Sequence, residues 1–386
     1  MTMPPTKRIA INLGGGYVPG LNAVLHGAVR AAGELGWEVI GIRDGYEGLL
    51  FPERYPEGGL LKLTPALLDS VCGATGCLLG TASRTDPFHV RTVNAHNAVE
   101  EVDRSAELVR LVAGEQFEAV ISVVDARALS ILWKLHRQGL KTVAIPKSAE
   151  NQIAATSLAF GFNSALSFAV DLLDHARQSA QSAHKIGVVE VPGEHAGWLA
   201  LQAGLAVCAD VILIPEIPYD LAKVAAKLSQ LIEAGATHGL VVVAEGATAT
   251  LGLTPGGKPP AAHPLKASLS PGATGEPGFH VIARSGQAAA LADQLQRLVN
   301  HEVYPLALGQ LVKGGTLSAV DRQVGICFGA AAVRAIQQDQ TGTLVSFQPP
   351  ELKCVPLADA INQYRTVPPD SAFLHAARSL GITLGD

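Results

Sequence analysis

The sequence predicts an α/β protein built on mainly parallel sheets. Short apolar runs alternate with amphipathic, helix-length stretches over most of the 386 residues, and such alternation is the mark of βαβ units. Right-handed crossovers then gather the strand-to-helix loops on one edge. No period of about 20–50 residues repeats, which excludes a solenoid. In chain order, Arg8–Leu13 is an apolar strand running into three glycines, and Leu21–Leu35 is the helix that follows. Strands are expected next at Glu38–Ile42, Cys77–Gly80, Ala119–Val124 and Thr142–Ile145, with helices over Ala98–Val112, Ala126–Arg137 and Ala155–Ala180. Ile186–Val191, Val211–Pro215 and Leu240–Ala244 continue the strand series, with a helix at Leu221–Ala234. Leu251–Gly278, rich in Gly, Pro, Ala and Ser, breaks the rhythm and reads as a surface excursion. The helix Ala288–Val299 and strands at Pro305–Leu308 and Thr343–Phe347 resume it.

Composition narrows the functional classes. With 48% hydrophobic residues the chain can bury one large core or two moderate ones. A net charge of -5 gives no electrostatic footprint for a nucleic-acid polymer. No uninterrupted apolar run approaches the ~18 residues of a membrane span. Met1–Arg8 lacks the apolar region of a secretory signal, so a cytoplasmic location is expected. The five cysteines lack zinc-ribbon spacing and read as reduced thiols.

Two segments stand out chemically. Gly14-Gly15-Gly16-Tyr17-Val18-Pro19-Gly20-Leu21-Asn22 links the first strand to its helix. Its glycines allow close backbone approach to a ligand, and the helix start offers free N–H groups to a phosphate. It is neither a dinucleotide fingerprint nor a Walker A loop, so a phosphate loop and an ordinary tight turn both stand. The second segment, Pro146-Lys147-Ser148-Ala149-Glu150-Asn151-Gln152-Ile153, leaves the carboxyl end of a buried strand. Open α/β sheets place their ligands there. His195 has two readings, a catalytic group or a packing position before a helix.

Taken in order, these pieces resemble the phosphofructokinase family. The glycine segment followed by Val39-Ile40-Gly41-Ile42-x-Asp44-Gly45-Tyr46-Glu47-Gly48-Leu49 looks like that family's opening. Leu79-Gly80-Thr81-Ala82-Ser83-Arg84-Thr85-Asp86-Pro87-Phe88, Gly161-Phe162-Asn163-Ser164-Ala165-Leu166 and Val189-Glu190-Val191-Pro192-Gly193-Glu194-His195-Ala196-Gly197-Trp198 are similar to later family segments. So are Pro215-Glu216 and Leu308-Gly309-Gln310-Leu311-Val312-Lys313-Gly314-Gly315-Thr316 with Asp321-Arg322, and the likeness runs from about residue 7 to 365. Lys147 and His-Ala-Gly-Trp look most like the pyrophosphate-using or mixed-donor branch.

The resemblance implies two Rossmann-like parallel-sheet lobes with a cleft between them. Residues 1–161 with 312–361 would form the donor-phosphate lobe, and 162–311 with 362–386 the acceptor lobe. It implies phosphoryl transfer from pyrophosphate or ATP to a sugar phosphate such as fructose 6-phosphate, with Mg2+ as cofactor and a homo-oligomeric assembly. Glu150 takes the place of the family's catalytic Asp, flanked by Lys147 and Ser148. Gly15, Gly16, Arg84 and Arg127 would face the donor, and Asp125 the metal. An alternative for Asp125 and Arg127 is a helix N-cap followed by a solvated Arg. Lys185, Gly193, Glu216, Gln310 and Lys313 would face the acceptor.

This chain departs from the pattern at Glu150, one methylene longer than Asp, and at Gln152, which replaces an acidic residue. Glu194 and Tyr304 stand where the family carries Arg, and Val123-Val124 precede Asp125 in place of glycines. These changes keep a second expectation open: a catalytically silent homologue acting as a regulatory or structural subunit beside an active paralogue, or as a phosphometabolite sensor.

Overall fold

The structure, a computed structural model, describes residues 7–81, 86–93, 99–250 and 286–386. Its strands are β1 (Arg8–Leu13), β2 (Glu38–Ile42), β3 (Leu60–Leu63), β4 (Val90–Val93), β5 (Val99–Val102), β6 (Val120–Val124) and β7 (Thr142–Pro146). They continue with β8 (Ile186–Val191), β9 (Val211–Leu213), β10 (Gly239–Ala244), β11 (Val303–Ala307), β12 (Thr343–Gln348) and β13 (Glu351–Pro356). The chain divides into two compact units, Met1–Leu172 with Gln310–Pro368 and Leu173–Gly309 with Pro369–Asp386.

The first unit is built on a seven-stranded sheet in the order β13-β12-β7-β6-β1-β2-β3. Its five central strands are parallel, and β3 and β13 add antiparallel edges. β6 and β7 are buried along their whole length, as strands covered on both faces must be. The helices Leu21–Glu34 and Ala319–Gln337 pack almost backbone to backbone: a Cβ on Gly27 would lie 2.0 Å from the Ile326 carbonyl oxygen. Only glycine permits that approach. Strand β1 is flanked by β2 on one side and β6 on the other, so the direction of winding reverses between β1 and β6. Ligands of open α/β sheets lie outside the carboxyl ends at such a switch point.

The second unit holds a wholly parallel sheet, β11-β8-β10-β9. Ile186, Val188, Val241 and Val243 pack from it against Val224, Leu228, Leu291 and Leu295 of two covering helices. The helix Phe162–Ala183 starts in the first unit and ends in the second.

Most expected elements match closely; two do not, and the helix expected over Ala155–Ala180 begins only at Phe162 and runs to Ala183. Cys77–Gly80 is a turn, not a strand. Its apolar character comes from Leu79, which plugs the space above Gly41. Ala98–Val112 is not one helix: β5 occupies Val99–Val102, and the helix begins at Ser105, whose N–H donates to Asp103 Oδ1 at 2.8 Å. The strands missed, β3, β4, β5 and β13, are edge or surface strands without the buried run that marks the others. Leu251–Gly278 lies outside the described residues. No described helix is long and apolar enough to cross a membrane.

Candidate active site at the strand ends

At the carboxyl end of β1, Gly14 N–H bonds the Val123 carbonyl at 2.9 Å and carries the ladder one step past the strand. Gly15 then turns left-handed at φ 74, and a Cβ there would overlap the Asp125 carboxylate. Glycine is required twice over, by conformation and by the approach of Asp125. Asp125 follows β6 and caps the helix Ala126–Arg137, its Oδ1 accepting the Ala128 N–H at 2.9 Å. The N-cap reading is therefore met, while Oδ2 faces the glycine loop. Arg127 is exposed on the first turn of that helix.

The next strand supplies the second half. Lys147 N–H continues the sheet to the Val124 carbonyl at 3.0 Å, and its Nζ donates to the Gly16 carbonyl. Its side chain is 0% exposed. Burial pulls the ammonium down to about 8, against the opposing pull of Asp125 and Cys77 and with some help from Lys313. Ser148 Oγ accepts the Glu150 N–H at 3.0 Å, a local turn that sets the direction of the Glu150 backbone. Asn151 sits left-handed at φ 54, and its side chain is spanned between Ala159 N–H at 3.0 Å and the Ser157 carbonyl at 3.3 Å.

Lys313, half-buried near Gly16, closes the group. Burial lowers its ammonium, while the carboxylates of Glu150 and Asp125 push it back up. Lys147, Lys313, Asp125 and Glu150 thus share one electrostatic neighbourhood at the switch point, two cations against two anions. Such a balance can receive a phosphate only by drawing on both lysines. Arg84 lies outside the described residues.

In the second unit the expected residues separate. Lys185 precedes β8 and pairs with Glu302 at 2.5 Å, whereas Gly193 follows the other end of the same strand. Gly193 accepts Gly246 N–H at 3.0 Å, and a Cβ on Gly246 would overlap the Glu194 carbonyl. Both Glu216 oxygens accept the Gly197 N–H, at 3.0 and 3.1 Å, anchoring the start of the helix Trp198–Ala206. Tyr304 donates its hydroxyl to the Ala176 carbonyl at 3.2 Å. Gln310 is exposed and belongs with Lys313 to the first unit. His195 lies beside Glu194, 3.9 Å from its Oε2, in the loop before that helix.

Sequence reasoning passed over three residues. Arg365 reaches the Pro146–Ile153 segment because Tyr364 bridges Ile153. Its N–H bonds the Gln152 carbonyl at 2.9 Å, and its half-buried guanidinium lies 3.4 Å from the Asn151 carbonyl. No local pattern signals that pairing across more than two hundred residues. Glu245 stands at the exit of β10 with its N–H on the Val191 carbonyl at 3.0 Å; its place after an apolar strand was a usable signal. Glu190, buried inside β8, accepts Gln287 and Ala288 N–H at 3.1 and 2.9 Å and so caps the helix Gly286–Leu295.

Paired lysines and carboxylates beside a glycine loop at the switch point thus sit on a parallel-sheet α/β protein of two compact units. Residues 8–336 match the family model described as Phosphofructokinase, and the chain belongs to that family. It is 35% identical over 380 residues to an ATP-dependent 6-phosphofructokinase of Chloroflexus aurantiacus, covering 98% of each chain. It is 34% identical over 366 residues to a pyrophosphate–fructose 6-phosphate 1-phosphotransferase of Amycolatopsis methanolica, covering 94% of this chain and 97% of that one. In fold it is similar to a pyrophosphate-dependent phosphofructokinase from Marinobacter aquaeolei, with a TM-score of 0.72 and 19% identity over 97% of this chain and 88% of that one. The phosphofructokinase of Saccharomyces cerevisiae gives a TM-score of 0.70 at 24% identity, over 92% of this chain and 45% of that one.

Proposed function

We propose that this chain is an active phosphotransferase that moves a phosphoryl group from pyrophosphate or ATP to a hydroxyl of a sugar phosphate such as fructose 6-phosphate. The observation that carries the reading is the grouping of Glu150, Lys313, Asp125 and Lys147 beside the Gly14–Gly16 loop. Curated relatives that use either donor support both choices.

In this reading the first unit holds the donor and the second the acceptor. Glu150, oriented by the Ser148 turn, accepts the hydroxyl proton as the sugar oxygen attacks the donor's terminal phosphorus; the bond from that phosphorus to its bridging oxygen breaks, and phosphate (from pyrophosphate) or ADP (from ATP) leaves. Lys147 and Lys313 neutralise the transferring phosphoryl group, while the Gly15–Gly16 backbone, Arg127 and Arg84 lie along the donor. Gly193 and Glu216 of the second unit face acceptor hydroxyls. Lys185 lies at the opposite end of β8 from Gly193, where it pairs with Glu302, and takes no part in this reading.

Among the described residues no group of three or more His, Cys, Asp or Glu forms a metal cage. A lone carboxylate beside a phosphate loop fits Mg2+, which keeps several waters and is bound by one or two carboxylates together with substrate phosphates. Asp125, with its Oδ2 facing the loop, is the protein ligand we assign to it. The ion, when bound, supplies charge neutralisation on the donor phosphates.

The test is turnover with Mg2+ and fructose 6-phosphate, using pyrophosphate and ATP in separate reactions, against a Glu150→Gln variant. Activity that drops at least a hundredfold in the variant is expected; wild-type turnover no higher than the variant's sinks the reading. A second reading, a catalytically silent homologue, draws on Gln152, on the anion Glu194 and on Tyr304, whose hydroxyl bonds the backbone. Phosphate-ester binding without turnover, or co-purification with an active paralogue, would favour it.

A further inference from the structure

The segment Asp44-Gly45-Tyr46-Glu47-Gly48-Leu49 is prominent in the sequence and takes no part in the proposed chemistry. Asp44 is left-handed at φ 48, and three contacts hold it to a distant turn and a tyrosine. Its N–H donates to the Leu79 carbonyl at 2.8 Å. Its Oδ2 accepts the Tyr55 hydroxyl at 3.0 Å. Its Oδ1 lies so close above Gly80, itself at φ 74, that any Cβ there would overlap it. Burial, and then the neighbouring Asp44 carboxylate, push the Tyr55 hydroxyl up to about 12, so it remains a donor at every working pH.

The same turn is gripped from its other side. Gly76 N–H donates to the Tyr17 hydroxyl at 3.0 Å, and Leu78 N–H donates to Asn22 Oδ1, also at 3.0 Å. Cys77 Sγ closes the turn on the Gly80 carbonyl at 3.1 Å. Tyr17 belongs to the glycine loop, and Asn22, buried, opens the helix that the loop feeds. Three segments far apart in sequence therefore form one hydrogen-bonded network: Gly14–Asn22, Asp44–Tyr55 and Gly76–Gly80. A one-ångström drift of a phosphate loop is enough to cost about a hundredfold in rate, so the loop needs rigid support from outside itself.

We infer that Asp44, held by Tyr55, is a positioning residue for the donor-phosphate loop, acting through the Gly76–Gly80 turn on Tyr17 and Asn22. Calling the loop a donor site rests on the function proposed above; the network itself does not. Three variants separate this role from a purely conformational one. Asp44→Gly accepts φ 48 without strain but has no carboxylate. Asp44→Asn keeps both the left-handed tolerance and a side-chain oxygen to accept from Tyr55. Tyr55→Phe deletes one oxygen and leaves the rest.

Each full-length variant is measured for binding of inorganic pyrophosphate with Mg2+ by calorimetry. The rate of Cys77 alkylation by iodoacetamide is followed by peptide mass mapping. Loss of one such hydrogen bond corresponds to about a 3–10-fold change. Asp44→Gly and Tyr55→Phe are expected to weaken pyrophosphate binding and to speed Cys77 alkylation by that factor, with Asp44→Asn near wild type in both. If turnover is present, KM for the donor rises while kcat at saturation changes less. Wild-type binding and wild-type alkylation in Asp44→Gly and Tyr55→Phe would overturn the inference. If wild type binds neither pyrophosphate nor ATP, the donor reading fails, and amide hydrogen exchange over Gly14–Asn22 decides the network alone. Unchanged protection in Tyr55→Phe overturns it there too. Should Asp44→Gly not fold, Tyr55→Phe carries the test.

Discussion

Replacing Lys147 by Met should stabilise the protein while abolishing its chemistry, and the gain should depend on pH in a defined way. Lys147 is 0% exposed, and its ammonium falls from the ordinary 10.5 to about 8 chiefly through burial. A lowering of that size, at about 1.4 kcal/mol per pH unit, corresponds to a destabilisation of about 3 kcal/mol. Below pH 8 the lysine is protonated both folded and unfolded, so the cost is fully present. Between pH 8 and 10.5 the folded state sheds its proton first. The unfolded state then binds more protons, and wild-type stability rises with pH. Met fills a similar volume and does not titrate. Differences in packing cancel when the stability gap between variant and wild type at pH 7 is compared with the gap at pH 10. The gap should close by about 2–3 kcal/mol between those two values. Urea unfolding followed by tryptophan fluorescence reads it. A Trp198→Phe background confines the signal to Trp37 and Trp133 of the first unit. A gap that stays constant from pH 7 to pH 10 would refute the claim that burial holds this ammonium down.

Other outcomes follow from the same site and from the second unit. In wild type, kcat/KM should fall above about pH 8, where Lys147 loses its proton, and Lys147→Met should show no such limb at any residual rate. Gln152→Asp adds a carboxylate to the Pro146–Ile153 segment and should lower the Mg2+ concentration for half-maximal rate at least threefold; an unchanged value would place Gln152 away from the metal. Glu190→Ala removes the acceptor for two N–H groups at the start of the helix Gly286–Leu295. It should cost about 1–3 kcal/mol and speed amide exchange at Gln287 and Ala288; unchanged exchange would show that the cap is dispensable.

Legibility followed burial. Strands such as Arg8–Leu13, Glu38–Ile42 and Ile186–Val191 are readable to the residue because a strand covered on both faces is a nearly continuous apolar run. β5, with all four residues exposed, carries no such constraint, and its Val-Glu-Glu-Val was absorbed into a helix. Cys77–Gly80 failed in the opposite direction. One buried leucine in a turn produces the same apolar run as a short strand. In the candidate site, Lys147, Ser148 and Glu150 are legible as candidates because they lie in one segment at a strand end. Arg365 is not, since its approach depends on a bridge between Tyr364 and Ile153.

By itself the sequence determined the class of fold, the glycine loop, the Pro146–Ile153 segment and the family, all of which are local patterns of residue type and spacing. Only the tertiary structure decided that Asp125 faces Gly15, that Lys147 is sealed from water with its Nζ on Gly16, and that Glu216 anchors a helix. It alone tied Asp44 through the Gly76–Gly80 turn to the loop. The physical reason is that desolvation and hydrogen bonding depend on which distant strand ends meet at the switch point of a sheet. No window of sequence contains that meeting.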